Sequence, residues 1–473
     1  MKSLACALAM ACAGCATGNA EVSVPEKKTP TTFGDGLSGK SAASTKWRDW
    51  FADEVLNGLV DEALSNNRDV LIALARIEGA RAGVQAATGE LVPQVGVIAG
   101  AGIRKFGLYT MDGAGNATTD ITPGRLVPEN LPGYTVGVQA SWEIDLWGRL
   151  RSQKEAARAR YLATIEGTNL VRSLLVAEVA TSYFDLLALD YTREVLQDSV
   201  KRQIEAVDVV RLQKLAGRAN ELGVQQFEAQ LAETRAGERL LAQRIVETEN
   251  RLNALLGRYP QTIARNKANL FVESNVKIST GLPSEMLANR PDIREAELRV
   301  AAAKADLKAA RAAFFPSFNI TAALGFDAFN PAYLFKTPAS LAYNATGGLM
   351  APLINRAGLK AQFAGARAEQ IQVMYDYQRI VLNAYVEVVN ALANLRTVED
   401  LIALRKAQKD AAEQAAIHAD LLYRAAKATY LEVLVAQQSA LNADLEIVET
   451  WRNQRRAHVA IYRALGGGWQ NTD

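Results

Sequence analysis

Few residues of this chain combine the types and the spacing that catalysis or metal binding requires. The two histidines, His418 and His458, belong to different predicted helices, and neither has a second metal ligand at a suitable spacing. The sequence contains no glycine-rich phosphate loop and no serine or cysteine nucleophile motif. We therefore expect a protein that is not an enzyme and has no metal site and no cofactor.

All three cysteines, Cys6, Cys12 and Cys15, lie at the N-terminus. That segment, MKSLACALAMACAGC, has one lysine followed by a short apolar stretch, which is the layout of a secretory signal. Its last residues, AGC, resemble a bacterial lipobox. This resemblance predicts that residues 1–14 are a signal peptide and that Cys15 is acylated, for example with palmitate.

Two other interpretations of the N-terminus stay open: an ordinary signal cleaved nearby with Cys15 incidental, and a misassigned start. Cys12 stands where a lipobox usually has leucine. Ala16, rather than aspartate, follows Cys15, which in lipoproteins generally permits sorting to the outer membrane. Residues 15–46 are rich in proline, lysine, serine, threonine and glycine, and they are predicted to form an extended tether.

The overall composition is that of long helices. The chain is 49% hydrophobic, 7% aromatic and carries a net charge of +2. Alanine, leucine, glutamate, glutamine and arginine are the prominent residue types. No apolar run of about 20 residues follows the N-terminus, so no transmembrane helix is expected. The near-neutral charge gives no reason to expect nucleic acid as a partner.

An internal repeat organises the chain. At one constant offset the matching pairs are Asn66 and Asn289, Asp69 and Asp292, Arg76 and Arg299, Pro93 and Pro316, and Gly102 and Gly325. Further on, at a second and smaller offset, they are Glu178 and Glu387, Val179 and Val388, and Gly257 and Gly466. Such spacing indicates a duplication, with copies over residues 47–260 and 284–473 and a linker over 261–283.

Each copy is predicted to contain the same order of elements. A helix of about 30 residues ends at a proline and is followed by a strand, a polar loop and a second strand. A helix of roughly 65 to 70 residues, a short turn and a returning helix of about 35 residues complete the copy. The long helices should run from near Leu146 to Leu215 and from near Ala357 to Ala425, about 100 Å each at ~1.5 Å per residue.

The strands alternate strictly between two kinds of residue. Apolar side chains occupy every second position after each helix-ending proline and again from Tyr134, and they include Val95, Val97, Tyr134, Trp142, Phe318 and Phe326. Small or polar residues occupy the positions between them. The lengths suit tilted membrane crossings with aromatics near the ends. A soluble sheet with one buried face is the common alternative.

Two arguments favour the membrane interpretation. Four strands cannot close a barrel, and lipid tolerates no open sheet edge. The rest of the chain is long helix, which leaves no globular part to cover a soluble sheet. We therefore expect several chains to contribute four strands each to a shared barrel, in a mainly α fold with membrane β-strands.

Four motifs carry a resemblance to a known family. They are ASWEIDLWGRLR (Ala140 to Arg151), RPDIREAE (Arg290 to Glu297), AARAAFFPSF (Ala309 to Phe318) and ALGGGW (Ala464 to Trp469). Together the chain resembles the TolC-like outer-membrane factors over about residues 47 to 470, and most closely their lipoprotein branch in RND-type tripartite efflux systems. The resemblance implies a homotrimer with a 12-stranded transmembrane β-barrel and a periplasmic α-helical barrel, with residues 261–283 in its equatorial region.

The same resemblance implies the functional residues. A gate or constriction is expected at Asp420, Tyr423 and Arg424, with Asp208 and Arg211 as candidates in the first copy. Adaptor-docking tips are expected at Gly217, Arg218, Asn220, Lys427 and Thr429. The family usually has glycine in both turns, whereas the second turn here has Ala426. The simpler alternatives are that Asp420 is one acidic residue of a solvated face and that the tips are plain exposed turns.

The expected function is a passive exit duct of an efflux pump, with antibiotic resistance as an associated trait. A periplasmic adaptor and an inner-membrane RND transporter would be its partners. Alternatives are an exit duct for type I protein secretion and a periplasmic coiled-coil scaffold. The Arg290-Pro291-Asp292 motif is interpreted as a helix start. Drugs, metal ions and solvents all remain possible cargoes.

Overall fold

The computed structural model describes residues 24–25, 29–33, 45–272, 281, 283–352, 356–425 and 427–469. Cys15, the predicted signal peptide, much of the predicted tether, part of the linker and Ala426 lie outside the described residues. The chain divides into two units. The first contains residues 79–161 and 298–375, and the second contains 25–78, 162–297 and 376–473.

The first unit contains a four-stranded antiparallel sheet. Its strands are β1 (Gln94–Lys105), β4 (Asn130–Ile144), β5 (Ser317–Ala328) and β6 (Leu341–Met350), in the order β1-β4-β5-β6. Between β1 and β4 the chain forms a helix, α4 (Met111–Thr118), and a small hairpin of β2 (Asp120–Thr122) and β3 (Arg125–Leu126). The segment predicted as a polar loop has secondary structure of its own. Thr110 caps its helix by accepting from the Gly113 amide.

The register of the sheet places the apolar positions of all four strands on one face. Val97 pairs with Val138, Val138 with Leu324, and Leu324 with Tyr343. The predicted alternation is thereby confirmed for the strands that carry Val95, Tyr134, Trp142, Phe318 and Phe326. Much of this face is open: Val97 and Tyr343 are each 81% exposed.

The opposite face is small and polar, and two glycines bring its central strands close together. Gly137 pairs with Gly325 across β4 and β5. A Cβ atom added at Gly325 would lie 2.6 Å from the Gly137 Cα atom and 2.4 Å from the Val136 carbonyl oxygen. Side chains cannot fit at this pair, so the glycines permit the sheet to bend toward its small, polar face.

The helices before the first strand of each copy differ from the prediction. Instead of one continuous helix, each copy has two: α2 (Glu54–Asn66) and α3 (Arg68–Gly89), then α7 (Pro283–Asn289) and α8 (Pro291–Ala312). The breaks have local causes. Asn67 caps α3 by accepting from the amides of Asp69 and Val70. Pro291, which lacks a donor, starts α8, and this agrees with the helix start predicted at Arg290-Pro291-Asp292.

The prolines stop the helical hydrogen bonding as predicted, but only after a tighter last turn. The Val92 amide donates to the Gly89 carbonyl immediately before Pro93, and the Phe315 amide donates to the Ala312 carbonyl immediately before Pro316. These bonds span three residues rather than four, which satisfies carbonyls at the helix end. Each strand begins at the residue that follows the proline.

The motif ASWEIDLWGRLR forms the corner between β4 and the long helix α5 (Arg149–Leu215). Trp142 donates to the Leu91 carbonyl and Trp147 to the Pro316 carbonyl, so one tryptophan reaches each helix-to-strand junction. Asp145 accepts from the amides of Leu150 and Arg151. Burial raises the pKa of this carboxyl group, but those hydrogen bonds outweigh it and hold the pKa below its usual value. This cap explains why α5 begins at Arg149 and not at the predicted Leu146.

The other long helices match the predicted pattern. They are α6 (Glu221–Leu255), α9 (Ala357–Arg424) and α10 (Tyr430–Ala464). In the second unit they pack around an apolar core that contains Trp47 of α1 (Trp47–Phe51), Tyr183, Leu252 and Ile461. Among the described residues, no helix combines the length and the apolar character needed to cross a bilayer.

The ends of the returning helices show the internal duplication in the backbone. Gly257 and Gly466 both have positive φ, 71° and 94°. An added Cβ atom would lie 2.3 Å from the Asn66 carbonyl oxygen in the first copy and 2.8 Å from that of Asn289 in the second. The matching residues of the repeat therefore make matching contacts.

The motif ALGGGW continues this arrangement at the C-terminus. Gly468 has φ of 99° and lies against Ser173, whose hydroxyl group donates to the Gly467 carbonyl at 2.6 Å. Trp469 donates to the Asn289 carbonyl at 3.1 Å. The motif holds the chain end against α5 and against the junction between α7 and α8.

The described parts of the N-terminal segment lie along α9. Gln378 donates to the Pro25 carbonyl and the Tyr385 hydroxyl group donates to the Thr32 carbonyl. Phe33 stacks on Tyr385 with ring centroids 5.4 Å apart. The predicted tether is thus fixed to a helix in the segments that the structure describes.

Candidate functional site

The predicted docking residues of the first turn shape the backbone between α5 and α6. Gly217 has φ of 69°, and the Arg218 amide donates to the Gln213 carbonyl at 2.8 Å, which closes the end of α5. Asn220 caps α6 by accepting from the Gly223 amide at 3.0 Å. Arg218 is exposed. Gly217 and Asn220 therefore have a clear structural role, whatever partner the turn contacts.

The second turn, between α9 and α10, closes in the same way. The Lys427 amide donates to the Leu422 carbonyl at 2.8 Å, at positions equivalent to Arg218 and Gln213. Thr429 and Glu432 form a capping box at the start of α10. The hydrogen bond from the Thr429 amide lowers the pKa of Glu432. Lys427 is exposed, and Ala426, the glycine replacement, lies outside the described residues.

Asp420 and Arg424, predicted at the gate, form an ion pair on one helix. The Asp420 carboxylate lies 2.7 Å from the Arg424 guanidinium, one helical turn further along α9. Their side chains are 35% and 62% exposed, so water screens the pair and its contribution to stability is small, about 0.3–0.5 kcal/mol. Breaking this ion pair would cost little free energy, so both groups can form ion pairs with other partners.

Tyr423 packs into a small apolar cluster close to the hairpin tips. The buried members of this tip cluster are Val207, Val210, Val224, Phe227 and Val433. Burial, with a further effect of Tyr430, raises the pKa of the Tyr423 phenol. Its hydroxyl group is buried and has no hydrogen-bond partner among the described residues. The tyrosine therefore keeps an unused donor close to Asp420.

The first-copy gate candidates are arranged differently. Arg211 pairs with Glu228 of the returning helix α6 at 2.5 Å, whereas Asp208 lies 3.9 Å away. The hydrogen bond to Glu228 raises the pKa of Arg211. At the second repeat offset, which matches Gly257 to Gly466, Arg211 corresponds to Asp420, so the two copies carry opposite charges at one position.

Glu228 was not among the residues predicted from the sequence. A signal was available, because residues at equal distances from a hairpin turn face each other on antiparallel helices. Lys214 and Glu221 lie at nearly equal distances from the turn at 216–220 and form an ion pair, and Arg211 and Glu228 lie on the same two helices further from the turn. Within the described residues, no group of three or more histidine, cysteine, aspartate or glutamate residues could hold a metal ion.

Comparison with known proteins identifies the family. The family model described as outer membrane efflux protein matches residues 59–258 and 282–467. The chain belongs to the outer membrane efflux protein family. It is therefore an outer membrane protein, as the sequence predicted.

Individual relatives match over most of their length. The chain is 29% identical to the cation efflux system protein CusC of Escherichia coli O6:H1 over 474 residues, 99% of each chain. It is 32% identical to the pyoverdine export outer membrane protein OpmQ of Pseudomonas putida, over 90% of this chain and 88% of that protein. The solved structure of the outer-membrane channel OprN superposes with a TM-score of 0.83 at 29% identity, over 97% and 100% of the two chains.

Proposed function

We propose that three copies of this chain form a passive exit channel of a tripartite efflux pump. Their sheets would close into a 12-stranded barrel in the outer membrane, and their long helices would form a periplasmic tube. An inner-membrane RND transporter would deliver substrates through a periplasmic adaptor. No step of this function requires the chain itself to perform chemistry.

The observation that carries the proposal is the exposed apolar face of the sheet. In one register, Val97, Val138, Leu324 and Tyr343 line up across the four strands, and all four are exposed. Exposing such an apolar face to water costs about 25 cal/mol of free energy per Å². Lipid against this face would remove that cost, and the small, polar face would line an aqueous lumen.

The edges of the sheet support an oligomer. β1 and β6 are the outer strands, and each pairs on one side only within the described sheet. Each unpaired backbone N–H or C=O group costs several kcal/mol in hydrocarbon, because no water is available there to form a hydrogen bond with it. Pairing β1 of one copy with β6 of the next would satisfy both edges and close the barrel. The bend permitted at Gly137 and Gly325 is in the direction that closure toward the polar face requires.

The lipid anchor is part of the same proposal. Acylated Cys15 would insert into the membrane. Pro25, Thr32 and Phe33 would hold the tether against α9 through their contacts with Gln378 and Tyr385. One acyl-modified residue assists anchoring but does not replace a barrel.

The gate is proposed at the level of Asp420. Three symmetry-related copies of Asp420 around an axis would repel one another and attract cations. Arg424 and Glu228 would then act as intrachain partners that keep Asp420 and Arg211 paired when neighbouring chains move apart.

The adaptor is proposed to dock at the two hairpin turns. Arg218 and Lys427 occupy equivalent positions, are exposed and carry the same charge. Their backbones are held by the caps at Asn220 and Thr429, so a partner would meet two similar, pre-formed surfaces. The relatives' names include a cation system and a pyoverdine exporter. We assign the choice of cargo to the transporter.

Planar-bilayer recording of the full-length protein tests the proposal. We expect small, cation-blocked currents from wild type, and larger or unblocked currents from Asp420→Ala. Asp198→Ala is the control, because Asp198 is an exposed residue of α5 whose carboxylate pairs with the exposed Lys201. A detergent-free soluble oligomer without channel activity in any variant would exclude the channel and leave a periplasmic scaffold.

A further inference from the structure

The two hairpins of the sheet pair their strands in the same register. In the first hairpin, Gln94 of β1 pairs with Ser141 of β4. In the second, Ser317 of β5 pairs with Met350 of β6. Ser317 matches Gln94 at the first repeat offset, and Met350 matches Ser141 at the second. This agreement holds for every pair of the second hairpin, so each hairpin is one unit of the internal repeat.

One junction between the two copies lies within the chain. There β4 of the first copy pairs with β5 of the second, and Val136 lies opposite Phe326. The outer strands of the described sheet are β6 of the second copy and β1 of the first. If another chain continues the repeat, its β1 meets β6 in the way that β5 meets β4. The junction inside one chain therefore specifies a junction between two chains.

The junction between chains then has a definite register. Tyr134 of β4 lies opposite Ala328 of β5, and the residues that match them are Tyr343 of β6 and Lys105 of β1. This register keeps the apolar positions of both strands on one face, whereas a shift by one residue would separate them. On that face the further opposed residues of β6 and β1 are Ala345 with Ile103, Gly347 with Ala101, and Leu349 with Ala99.

The helices also contact one another across the junction within the chain. Ser173 of α5 donates to the Gly467 carbonyl, and Gly468 lies against Ser173. Glu166 of α5 pairs with Arg294 of α8 at 2.7 Å. Each contact joins an element of the first copy to one of the second. The residues that match these in the repeat should therefore meet where two chains adjoin.

Four large apolar side chains occupy the matching positions, and all of them are exposed. They are Tyr259 and Leu382, which match Gly468 and Ser173, and Leu71 and Tyr375, which match Arg294 and Glu166. Their exposed fractions are 92%, 49%, 40% and 54% in that order. The tether contacts α9 at Gln378 and Tyr385, yet Leu382 keeps this exposure.

The difference in residue type has a physical reason. Inside one chain the covalent connection holds the two copies together, so small and charged residues suffice at their junction. Two separate chains lose translational and rotational freedom when they associate. Burial of apolar surface offsets that loss, because it removes the surface from water. The four exposed side chains provide such surface at the positions that the repeat selects.

We propose that neighbouring chains adjoin through the contacts that the first copy makes with the second within one chain. β6 pairs with β1 of the next chain, with Ala345 opposite the partner's Ile103. Leu382 packs on the partner's Tyr259, and Tyr375 packs on the partner's Leu71. Because the interface joins two different surfaces, successive chains follow one another head to tail and close a ring. This interface rests on the shared barrel proposed above and names the residues that meet in it.

Disulfide cross-linking of the full-length protein in isolated membranes tests the register. Ile103→Cys with Ala345→Cys should give covalent dimers and trimers on non-reducing gels after mild oxidation. The control is Ala101→Cys with Ala345→Cys, which moves one cysteine by two residues on the same face. Opposed Cβ atoms lie about 4.5–5.5 Å apart and diagonal ones about 7–8 Å, so the control should cross-link at least about fivefold less. Wild type, which has cysteines only at its N-terminus, gives the background.

A second pair of cysteines tests the helices. Tyr259→Cys with Leu382→Cys should give the same covalent oligomers. Tyr259→Cys with Leu404→Cys should not, because Leu404 is an exposed residue of the same helix about 33 Å further along, at ~1.5 Å per residue. Circular dichroism and elution volume verify that each variant is folded.

The outcomes separate the interface from the channel. Stronger cross-linking of the control pair than of Ile103→Cys with Ala345→Cys would overturn the register. Cross-links at the strands without cross-links at Tyr259 and Leu382 would overturn the helical contacts. An oligomer in which neither designed pair cross-links would overturn the whole interface and leave the channel. A protein that elutes as a monomer and forms no channels in bilayers would contradict the proposed channel as well.

Discussion

The two structural copies make the same contacts at the ends of their returning helices. A glycine with positive φ approaches an asparagine carbonyl in each copy: Gly257 at Asn66 and Gly466 at Asn289. The residue after that asparagine then donates to the last turn of the returning helix in each copy. Asn67 reaches the Leu255 carbonyl at 2.9 Å, and Arg290 reaches that of Ala464 at 2.7 Å.

At the hairpin turns the copies share a backbone but differ in charge. Both turns close with the same type of backbone hydrogen bond and begin the returning helix with a capping side chain. However, Arg211 in the first copy corresponds to Asp420 in the second, and their partners, Glu228 and Arg424, lie on different elements.

The comparison separates two kinds of constraint. Where backbone meets backbone, only a residue without a Cβ atom fits, so both copies keep glycine. On exposed helix surfaces an ion pair contributes about 0.3–0.5 kcal/mol, so either charge is compatible with the fold. The residues at which we propose a gate can therefore differ between the copies without loss of stability. Substitutions at these two kinds of position should therefore differ in their effect on stability.

The largest effect is expected at Arg290. Its side chain is 11% exposed and contacts Asp292, Glu387 and the Ala464 carbonyl. Arg290→Met should destabilise the protein by about 4 kcal/mol, because it leaves two partly buried carboxylates without this partner. Asn67→Ala, at the equivalent position, should cost about 2 kcal/mol, because it removes one hydrogen bond and one cap. Thermal unfolding by circular dichroism compares them, and equal losses would contradict the asymmetry.

The second effect concerns the glycines. Gly257→Ala and Gly466→Ala should each cost about 3 kcal/mol, because positive φ and a close carbonyl both oppose a Cβ atom. The first should be larger, since its carbonyl oxygen is nearer, at 2.3 Å against 2.8 Å. Gly358→Ala is the control, as an added Cβ atom there meets no atom within 4 Å. A loss in one copy alone would argue against equivalent junctions.

The third prediction concerns pH. Burial, together with the nearby positive charge of Arg455, lowers the pKa of His458 to about 4. In the unfolded chain the histidine keeps its ordinary pKa of about 6.5. Below that pH the unfolded chain therefore binds more protons than the native state does. Stability from neutral His458 is therefore complete above pH 6.5 and falls by up to about 3 kcal/mol as the pH drops to 4.

Variants of the two histidines check this pH dependence. His458→Gln should flatten the unfolding profile between pH 6.5 and 4, whereas His418→Gln, at an exposed position near the tip, should keep the wild-type slope. Chemical denaturation at a series of pH values measures both. An unchanged slope in His458→Gln would assign the acid sensitivity to other groups.

The smallest effects are expected at the hairpin caps. Asn220→Ala and Thr429→Ala should each destabilise the start of a returning helix by about 1 kcal/mol. The loss should be greater for Thr429, which also forms a capping box. Amide hydrogen exchange near the tips measures the change. Thr397→Ala, which removes a threonine from the middle of α9, is the control and should leave tip exchange unaltered.

Much of the fold could be predicted because its signals are local. Pro93 and Pro316 mark the change from helix to strand, since proline has no amide donor for the helix. Strand faces followed from alternation, and the end of α5 at Leu215 agrees with the prediction. The break at Asn67 was missed, because helix periodicity continues across it and the cap acts through a single side chain. The helix start at Arg290-Pro291-Asp292 was predicted, because proline marks it in the sequence.

The candidate gate was less predictable. The resemblance pointed to Asp420, Tyr423 and Arg424, but the ion pair of Arg211 with Glu228 depends on which faces of α5 and α6 meet. A cavity of about 330 Å³ that Gln203 helps to line depends on four helices at once. No local pattern records such a void, because alanines are common throughout this chain.

The sequence by itself determined the duplication, the strand faces and the long helices. These depend on period, proline and glycine, which act within a few residues of the chain. Only the tertiary structure decided which side chains bridge distant segments: Trp147 bonds to the Pro316 carbonyl and Arg290 to the Ala464 carbonyl. It also decided which polar atoms, such as the Gln203 amide oxygen, have no partner among the described residues. Those contacts arise from packing between helices and strands far apart in the chain, and packing depends on shape in three dimensions.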